Sequence, residues 1–202
     1  MGELSIFNLQ NFVETNKCKI YVETGTGIGI CLNHMLNYEF DHFYSIDLDG
    51  DLIDSARKKF NNDNITFIHN YSTAGLEELM SKLDTDIPIL FFLDAHFPGA
   101  DFGKMTYEQS IRKFKEVAFP LLTEIQTIKK YRDISIDSFI IDDWKLYDNT
   151  QAYEMPDWEY NNLQDELGIT TSADLILSEF LETHNCEVNL RHQGFLFVTP
   201  KF

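Results

Sequence analysis

Acidic side chains follow several of the short apolar runs in this sequence, and one of these runs also leads to a histidine. The residues are Glu23, Asp47 with Asp49, Asp94 with His96, and Asp142 with Asp143. In an open α/β sheet the carboxyl ends of the strands meet at the edge where ligands bind, so these side chains are expected to converge. Gathered carboxylates can hold a hard divalent cation through oxygen, and a neutral imidazole can accept a proton. The pattern therefore predicts a polar reaction site at one edge of a sheet.

A glycine-rich turn precedes most of these acids. Residues 21–29 read Tyr-Val-Glu-Thr-Gly-Thr-Gly-Ile-Gly. Glycines at this spacing let the backbone turn sharply and let a ligand approach its N–H groups. A dinucleotide-binding turn has the spacing G-x-G-x-x-G and would require glycine at position 30, where the chain has Ile30. The spacing argues against a dinucleotide, while an ordinary strand-to-helix turn stays open as an alternative.

With Glu23 placed two residues before the first glycine, this turn resembles motif I of class I S-adenosylmethionine-dependent methyltransferases. The resemblance implies that the backbone of Gly25, Thr26, Gly27 and Gly29 lies along the methionine part of S-adenosylmethionine. It also implies that Glu23 orders the amino group of that cofactor. An acid suits this cofactor, because it carries a cationic amine and a sulfonium and has no pyrophosphate to neutralise.

Asp47 is predicted to bind the ribose of the cofactor. It ends a predicted strand and lies 24 residues after Glu23. This separation is near the offset of about 20 residues at which a carboxylate meets a ribose hydroxyl in folds of this kind. The alternative for Asp47 is an N-cap on the following helix, although Asp49 is better placed for that role.

The segment after the third predicted strand is expected to meet the adenine ring. The family often has an acid there, whereas this chain departs from the pattern with Asn70, Tyr71 and Ser72. Tyr71 is expected to lie beside adenine, and Asn70 or Ser72 to hydrogen-bond it. A polar loop without any contact to the cofactor is the alternative.

The spacing Asp94-Ala95-His96, followed by the pair Asp142-Asp143, is similar to that of the metal-dependent sugar O-methyltransferases of the macrocin and rhamnosyl type. The resemblance implies that Asp94, Asp142 and Asp143 bind Mg²⁺, that Asp94 also borders the cofactor, and that His96 is the general base. A hydroxyl near a metal ion loses its proton more readily, which gives the imidazole a role. In the alternatives, one of the adjacent aspartates caps a helix and His96 is a hydrogen-bonded loop residue.

These residues require an alternation of strands and helices to bring them together. Strands are predicted at 19–23, 42–47, 65–69, 87–94, 138–142, 187–192 and 195–199. Helices are predicted at 29–36, 50–60, 73–83, 108–132 and 174–184, with Pro120 kinking or splitting the fourth. The order predicts an α/β protein with a parallel sheet. Its closing antiparallel hairpin resembles that of class I methyltransferases, and this resemblance implies their Rossmann-like fold. It has a seven-stranded, mostly parallel sheet, a C-terminal antiparallel hairpin and helices on both faces. Residues 1–202 are expected to form a single domain, with residues 1–18 as a covering segment that includes a helix at 4–12.

Composition limits the partners. The chain has 16 basic and 33 acidic residues and a formal net charge of −17, which argues against nucleic acid and anionic membranes. No run approaches the ~20 apolar residues of a membrane span, and no signal peptide is recognised, so a cytoplasmic protein is expected.

The loops at 97–104 and 145–163 leave the ligand-binding edge of the sheet. Aromatic residues in or next to the second loop suit a sugar ring, a core or an oligomer interface: Trp144, Tyr147, Tyr153, Trp158 and Tyr160.

The sequence therefore predicts an S-adenosylmethionine-dependent, Mg²⁺-assisted O-methyltransferase that acts on a hydroxyl of a sugar or glycoconjugate. The acceptor is a small molecule or glycan, and a homo-oligomer is compatible with the sequence. Two other classes stay open. An aminopropyltransferase resembling spermidine synthase also uses a glycine turn and an acidic pocket, and a domain of the same fold could bind a partner without catalysis.

Overall fold

The computed structural model describes residues 4–148, 150 and 171–201. The strands are β1 (Ile20–Thr24), β2 (His42–Asp47), β3 (Ile65–His69), β4 (Ile89–Leu93), β5 (Ser138–Ile141), β6 (His184–Asn189) and β7 (Phe195–Pro200). The α-helices in these residues are α1 (Gln10–Thr15), α2 (Ile30–Met35), α3 (Gly50–Lys59), α4 (Ser72–Met80), α5 (Tyr107–Phe114), α6 (Leu121–Tyr131) and α7 (Ala173–Ser178). Short 3-10 helices span Leu4–Ile6, Lys115–Ala118, Ile134–Ile136 and Trp144–Leu146. None of the helices in the described ranges has the length and hydropathy that a membrane crossing requires.

The strands form one seven-stranded sheet in the order β3-β2-β1-β4-β5-β7-β6. Strands β1 to β5 are parallel, and β7 runs antiparallel to both of its neighbours, β5 and β6. The predicted fold class and its C-terminal antiparallel hairpin are confirmed. After β3 the chain crosses back over β1 to form β4, so the strand order reverses between β1 and β4. In sheets of this type, ligands bind at the carboxyl ends of the strands beside such a reversal.

Both faces of the sheet are buried. In β4, Ile89, Phe91 and Leu93 pack into one apolar core, and Leu90 and Phe92 pack into another on the opposite face. Successive side chains of a strand point to opposite faces, so an unbroken apolar run predicts a strand that is covered on both sides. Side chains of α4, α5, α6 and α7 complete the first core, and those of α1, α2 and α3 complete the second. The prediction of helices on both faces is confirmed.

Three helical segments show where sequence patterns miss the boundaries. Pro120 lies at the N-cap of α6 and splits the segment predicted at 108–132, as expected for a residue that interrupts a helix. The helix predicted at 4–12 is wrong, because this region forms a 3-10 turn and the separate helix α1. The helix predicted at 174–184 ends at Ser178. His184 instead starts β6, where its backbone pairs with Pro200 and its Nε2 contacts the carbonyl of Asp137 at 3.1 Å.

Candidate active site

A cleft of about 330 Å³ opens at the carboxyl ends of β1, β2 and β4. Eight of the predicted site residues line it: Gly25, Thr26, Gly27, Asp47, Tyr71, Ser72, Asp94 and His96. A smaller cavity of about 10 Å³ shares Asp94 and His96 with the cleft and is also lined by Asp142 and Asp143. The remaining predicted residues, Glu23, Gly29 and Asn70, line neither space.

The glycine turn is fixed against the end of β4. Gly25 has φ of +84°, and a Cβ at this position would lie 2.6 Å from the carbonyl oxygen of Asp94. Its N–H donates to the carbonyl of Ile46 at 2.8 Å. Only glycine combines this backbone conformation with so close an approach. Gly29 also has positive φ, but its neighbour is the ring of Phe60, so its role is in packing the turn.

Asp47 connects the end of β2 to the glycine turn. Its Oδ2 accepts a hydrogen bond from the N–H of Gly27 at 2.9 Å, and its Oδ1 accepts from the N–H of Asp49 at 2.8 Å. Burial raises the pKa of Asp47, although these backbone N–H groups partly oppose the shift. The N-cap of α3 is Asp49, whose side chain accepts from the N–H of Asp51. Asp47 is therefore not the cap, and it lies in the cleft wall.

Glu23 lies beneath the turn, with only 1% of its surface exposed. Its carboxylate accepts hydrogen bonds from Tyr21 at 2.8 Å and from Ser45 at 2.6 Å. The Ser45 hydroxyl also lies 2.6 Å from the hydroxyl of Thr26, which lines the cleft. Burial raises the pKa of Glu23 to about 7, against the effect of the two hydroxyls. Glu23 thus reaches the cleft through Ser45 and Thr26.

The segment predicted to meet adenine lies at the start of α4. Tyr71 lines the cleft with 43% of its surface exposed, and Ser72 lines it from a buried position. The Asn70 side chain accepts a hydrogen bond from the N–H of Tyr71 at 2.9 Å. Asn70 is therefore engaged with its own backbone, which leaves Tyr71 and Ser72 as the cleft-lining members of this segment.

His96 is held between two aspartates. Its Nε2 lies 2.5 Å from Oδ2 of Asp143, and its Nδ1 lies 3.1 Å from the carbonyl oxygen and 3.5 Å from Oδ1 of Asp94. Asp143 follows β5 with φ of +52°, a left-handed conformation that a non-glycine residue adopts at a cost. Burial lowers the pKa of His96, but the charge and hydrogen bond of Asp143 and the charge of Asp94 outweigh burial and hold it well above the ordinary value. The two aspartates therefore favour the protonated form of the imidazole.

The carboxylates around His96 fit a divalent cation. Asp94, His96 and Asp143 each offer one donor atom, and these atoms lie within 4.8 Å of one another. Oδ1 of Asp94 and Oδ2 of Asp142 are buried without a hydrogen-bond partner. Burial raises the pKa of Asp142 to about 7 and that of Asp94 well above its ordinary value. Buried carboxylates with unsatisfied oxygens suit hard cations such as Mg²⁺.

Of the aromatic residues predicted to recognise an acceptor, Trp144 and Tyr147 belong to the apolar core. They are 1% and 7% exposed, so the core interpretation is correct for both. The other three, Tyr153, Trp158 and Tyr160, lie outside the described residues. The loop at 97–104 does border the cleft, as predicted, and contributes Phe102 and Lys104 to its wall.

Two acidic residues of the site, Asp101 and Glu124, have no counterpart in the sequence prediction, whereas a third polar residue, Lys104, lies in the loop predicted at 97–104. Asp101 lines the cleft and accepts a hydrogen bond from Tyr107 at 2.7 Å. Lys104 forms ion pairs with Asp49 and Asp51 across the cleft mouth. Glu124 of α6 lines the small cavity. Its sequence signal is an acid that shares the helical stripe of Leu121, Ile125 and Ile128, where an apolar residue is expected.

No protein-family model and no curated protein matches the chain. Solved structures do share its architecture. One is an O-methyltransferase from Bacillus cereus in complex with S-adenosylhomocysteine, with a TM-score of 0.59 and 12% identity over 96% of this chain and 79% of that one. Another is the S-adenosylhomocysteine-bound methyltransferase PaMTH1 from Podospora anserina, with a TM-score of 0.54 and 14% identity over 95% and 75% of the two chains.

The N-methyltransferase NodS from Bradyrhizobium japonicum WM9 also matches, with a TM-score of 0.50 and 11% identity over 94% of this chain and 90% of that one. The matched proteins thus include both O- and N-methyltransferases. Identities this low establish the fold alone. The chain has the Rossmann-like methyltransferase fold.

Proposed function

We propose that this protein is an S-adenosylmethionine-dependent O-methyltransferase, assisted by Mg²⁺, that methylates a hydroxyl of a sugar or glycoconjugate. One observation carries the proposal. The cleft bordered by the glycine turn and Asp47 shares Asp94 and His96 with the cavity of the carboxylate cluster. A cofactor in the cleft would therefore lie next to the groups that can activate an acceptor.

The cleft suits the cofactor in size and chemistry. Its volume of about 330 Å³ falls within the range of small-molecule sites. Asp47 accepts one backbone N–H on each oxygen and keeps lone pairs for ribose hydroxyls. Tyr71 offers an exposed ring beside the cleft for adenine. We assign Glu23 an indirect effect on the methionine part, through Ser45 and Thr26, because it does not line the cleft.

His96 is the proposed base, and Asp143 orients it. An aspartate bonded to one ring nitrogen fixes the position of a catalytic histidine, and here that nitrogen is Nε2. The proton on Nδ1 would then be the one exchanged, beside Asp94. Asp94, Asp142 and Asp143 would hold the cation, and its positive charge would lower the pKa of His96 toward the range in which an imidazole accepts protons.

The bound groups supply the rest of the chemistry. S-adenosylmethionine supplies the methyl group, and Mg²⁺ makes a hydroxyl proton easier to remove. The contribution of the chain is to orient the acceptor oxygen in line with the methyl group and to exclude water. Phe102, Met105, Phe114 and Val117 line the cleft and provide an apolar wall for this purpose.

An aminopropyltransferase is the second candidate. The observation in its favour is the density of carboxylates at the site, where Asp101 joins Asp94 at the cleft, because carboxylates attract a cationic amine acceptor. The His96–Asp143 pair, which suits deprotonation of a hydroxyl, favours the methyltransferase.

Calorimetry should separate these functions. We expect S-adenosylhomocysteine to bind and NAD not to bind; preference for decarboxylated S-adenosylmethionine would favour the aminopropyltransferase. Binding of none of the three would contradict both enzymatic proposals.

Turnover can then be followed as S-adenosylhomocysteine release with a panel of sugars and glycosides. Asp94→Asn should reduce turnover by about 100-fold or more, because it removes a cation ligand, while S-adenosylhomocysteine still binds. Asp54→Asn, at an exposed carboxylate that does not line the cleft, is the control. Undiminished turnover of Asp94→Asn, or of the parent protein in excess EDTA, would refute the metal-assisted mechanism.

A further inference from the structure

Glu124 is a buried carboxylate beside the candidate active site, and neither the sequence pattern nor the proposed reaction uses it. Only 1% of its surface is exposed. Burial raises its pKa to about 7, although the hydroxyls of Ser72 and Thr24 act to lower it, and its Oε1 has no hydrogen-bond partner. Among the described residues, no lysine or arginine forms an ion pair with Glu124. Burying such a group is costly unless something compensates it.

Three buried carboxylate oxygens without a hydrogen-bond partner belong to residues that line the same small cavity. Five buried side-chain oxygens lack a hydrogen-bond partner in the described part of the chain, and three of them belong to Asp94, Glu124 and Asp142. All three residues line the cavity of about 10 Å³, together with His96 and Asp143. The cavity lies between the carboxyl ends of β4 and β5 and the first turn of α6, with Leu121 in its wall.

The distances between donor atoms and the volume of the cavity indicate whether Glu124 would bind a cation directly or through a water molecule. The donor atoms that lie within 4.8 Å of one another come from Asp94, His96 and Asp143, and Glu124 is not in that group. A cavity of this volume is about the size that holds one water molecule, which needs two to four polar partners. Glu124 is therefore placed to reach a cation at the cluster through one water.

We infer that Glu124 is a positioning residue of the cation site, linked to the ion by a water in this cavity. The inference rests on the cation assigned to the site in the proposed function. Substitution of a carboxylate that contacts a metal ion through another group commonly lowers the affinity of the protein for that metal. Glu124 would also add negative charge close to the ion, in surroundings where charges interact strongly.

The direct test is Mn²⁺ binding, measured from the electron paramagnetic resonance signal of free Mn²⁺ without cofactor or acceptor. Glu124→Gln keeps the shape of the side chain and removes its charge. It should weaken Mn²⁺ binding by about 10- to 100-fold. Glu77→Gln, at an exposed carboxylate of α4, is the matched control and should bind Mn²⁺ like the parent protein.

A purely structural role predicts a different result. If Glu124 only supported the fold, Glu124→Gln would be less stable in EDTA and would keep its Mn²⁺ affinity. We expect the variant to be at least as stable as the parent in EDTA, because it replaces a buried carboxylate that no described lysine or arginine pairs with. Should Glu124→Gln fail to fold, Glu124→Asp provides a second variant, which retains the charge but withdraws it from the cavity and should also weaken Mn²⁺ binding.

S-adenosylhomocysteine binding, measured by calorimetry on the same samples, separates this inference from the proposed function. Unchanged Mn²⁺ affinity in both variants, with S-adenosylhomocysteine still bound, would overturn the role of Glu124 alone. Absence of Mn²⁺ binding in the parent protein would overturn the cation site and this inference together, whereas loss of S-adenosylhomocysteine binding would count against the proposed function itself.

Discussion

Glu23 shows how burial, rather than residue type, determines the behaviour of a single carboxylate. It lies under the glycine turn, and burial raises its pKa from the ordinary 4.5 to about 7. Below pH 4.5 the group is protonated in both the folded and the unfolded protein. As the pH rises toward 7, the unfolded chain releases the proton first, so the folded state loses stability over this interval.

Glu23→Gln should remove this dependence. Relative to the variant, the parent protein should lose up to about 3 kcal/mol of unfolding free energy between about pH 5 and about pH 8, because one pKa unit corresponds to about 1.4 kcal/mol. The measurement is urea denaturation at both pH values. Glu77→Gln is the control. Tyr131 and Lys130 lower the pKa of that exposed group, so its removal should not reproduce the effect of Glu23→Gln. Parallel pH profiles for the parent and Glu23→Gln would show that Glu23 is not the source.

Single residues also mark the limit of sequence-based prediction at the site. Asp47, Asp94 and His96 were predictable, because each lies at or just beyond the end of an apolar strand. The pairing of His96 with Asp143 was not, since it depends on a left-handed backbone at Asp143 that no local pattern specifies. Glu124 comes from a helix distant in sequence, and only the packing of α6 brings it to the site.

Among the elements, the turn between β1 and α2 has the strictest steric requirement. Gly25 combines positive φ with an approach to the carbonyl of Asp94 that leaves no room for a Cβ. Gly103, in the loop after β4, also has positive φ, but a Cβ there would meet no atom within 4 Å. Alanine at Gly103 would therefore introduce backbone strain alone, whereas alanine at Gly25 would introduce both backbone strain and a steric clash.

Gly103→Ala should lower the unfolding free energy by about 1 kcal/mol, the cost of holding alanine in a left-handed conformation. Gly25→Ala should lower it by about 3 kcal/mol or more, because β1 and β4 must also move apart. Urea denaturation measures both. An equal decrease in unfolding free energy in the two variants would mean that the turn moves away from Asp94 without cost and that this contact imposes no constraint.

Most of the strands were predictable, although the strand predicted at 187–192 is displaced by three residues from β6 (His184–Asn189). Those predicted at 42–47 and 65–69 match β2 and β3 residue for residue, because apolar runs bounded by polar turns leave little choice of boundary. Helix ends were less predictable. The sequence after Ser178 contains no helix breaker, and the end of α7 follows from the pairing of His184 with the neighbouring strand.

For the molecule as a whole, one ion-pair cluster joins the two sides of the cleft. Lys104 in the loop after β4 pairs with Asp49 and Asp51 at the start of α3. Phe102 of the same loop lies against Gly27, where a Cβ would meet its ring at 3.2 Å. The loop thus covers the glycine turn, and the ion pairs hold it there.

Lys104→Ala should accelerate the release of S-adenosylhomocysteine by about two- to five-fold, a small factor because exposed ion pairs are weak. Stopped-flow displacement of the bound product would measure the rate. Lys82→Ala, which removes an exposed pair with Glu78 on α4, should leave the rate unchanged. Identical release rates from the Lys104→Ala variant and the parent would show that the loop does not retain the ligand.

The contact between Gly25 and the carbonyl of Asp94 has a further consequence for how this site can change over time. At Gly25 the glycine turn approaches the backbone of Asp94 at the end of β4, and Gly25 has no side chain that could adjust between them. A shift in either one passes directly to the other, so substitutions on the two sides should not be additive. Grafting one motif from a distant relative without the other should then fail, and the two are expected to be inherited as a single unit.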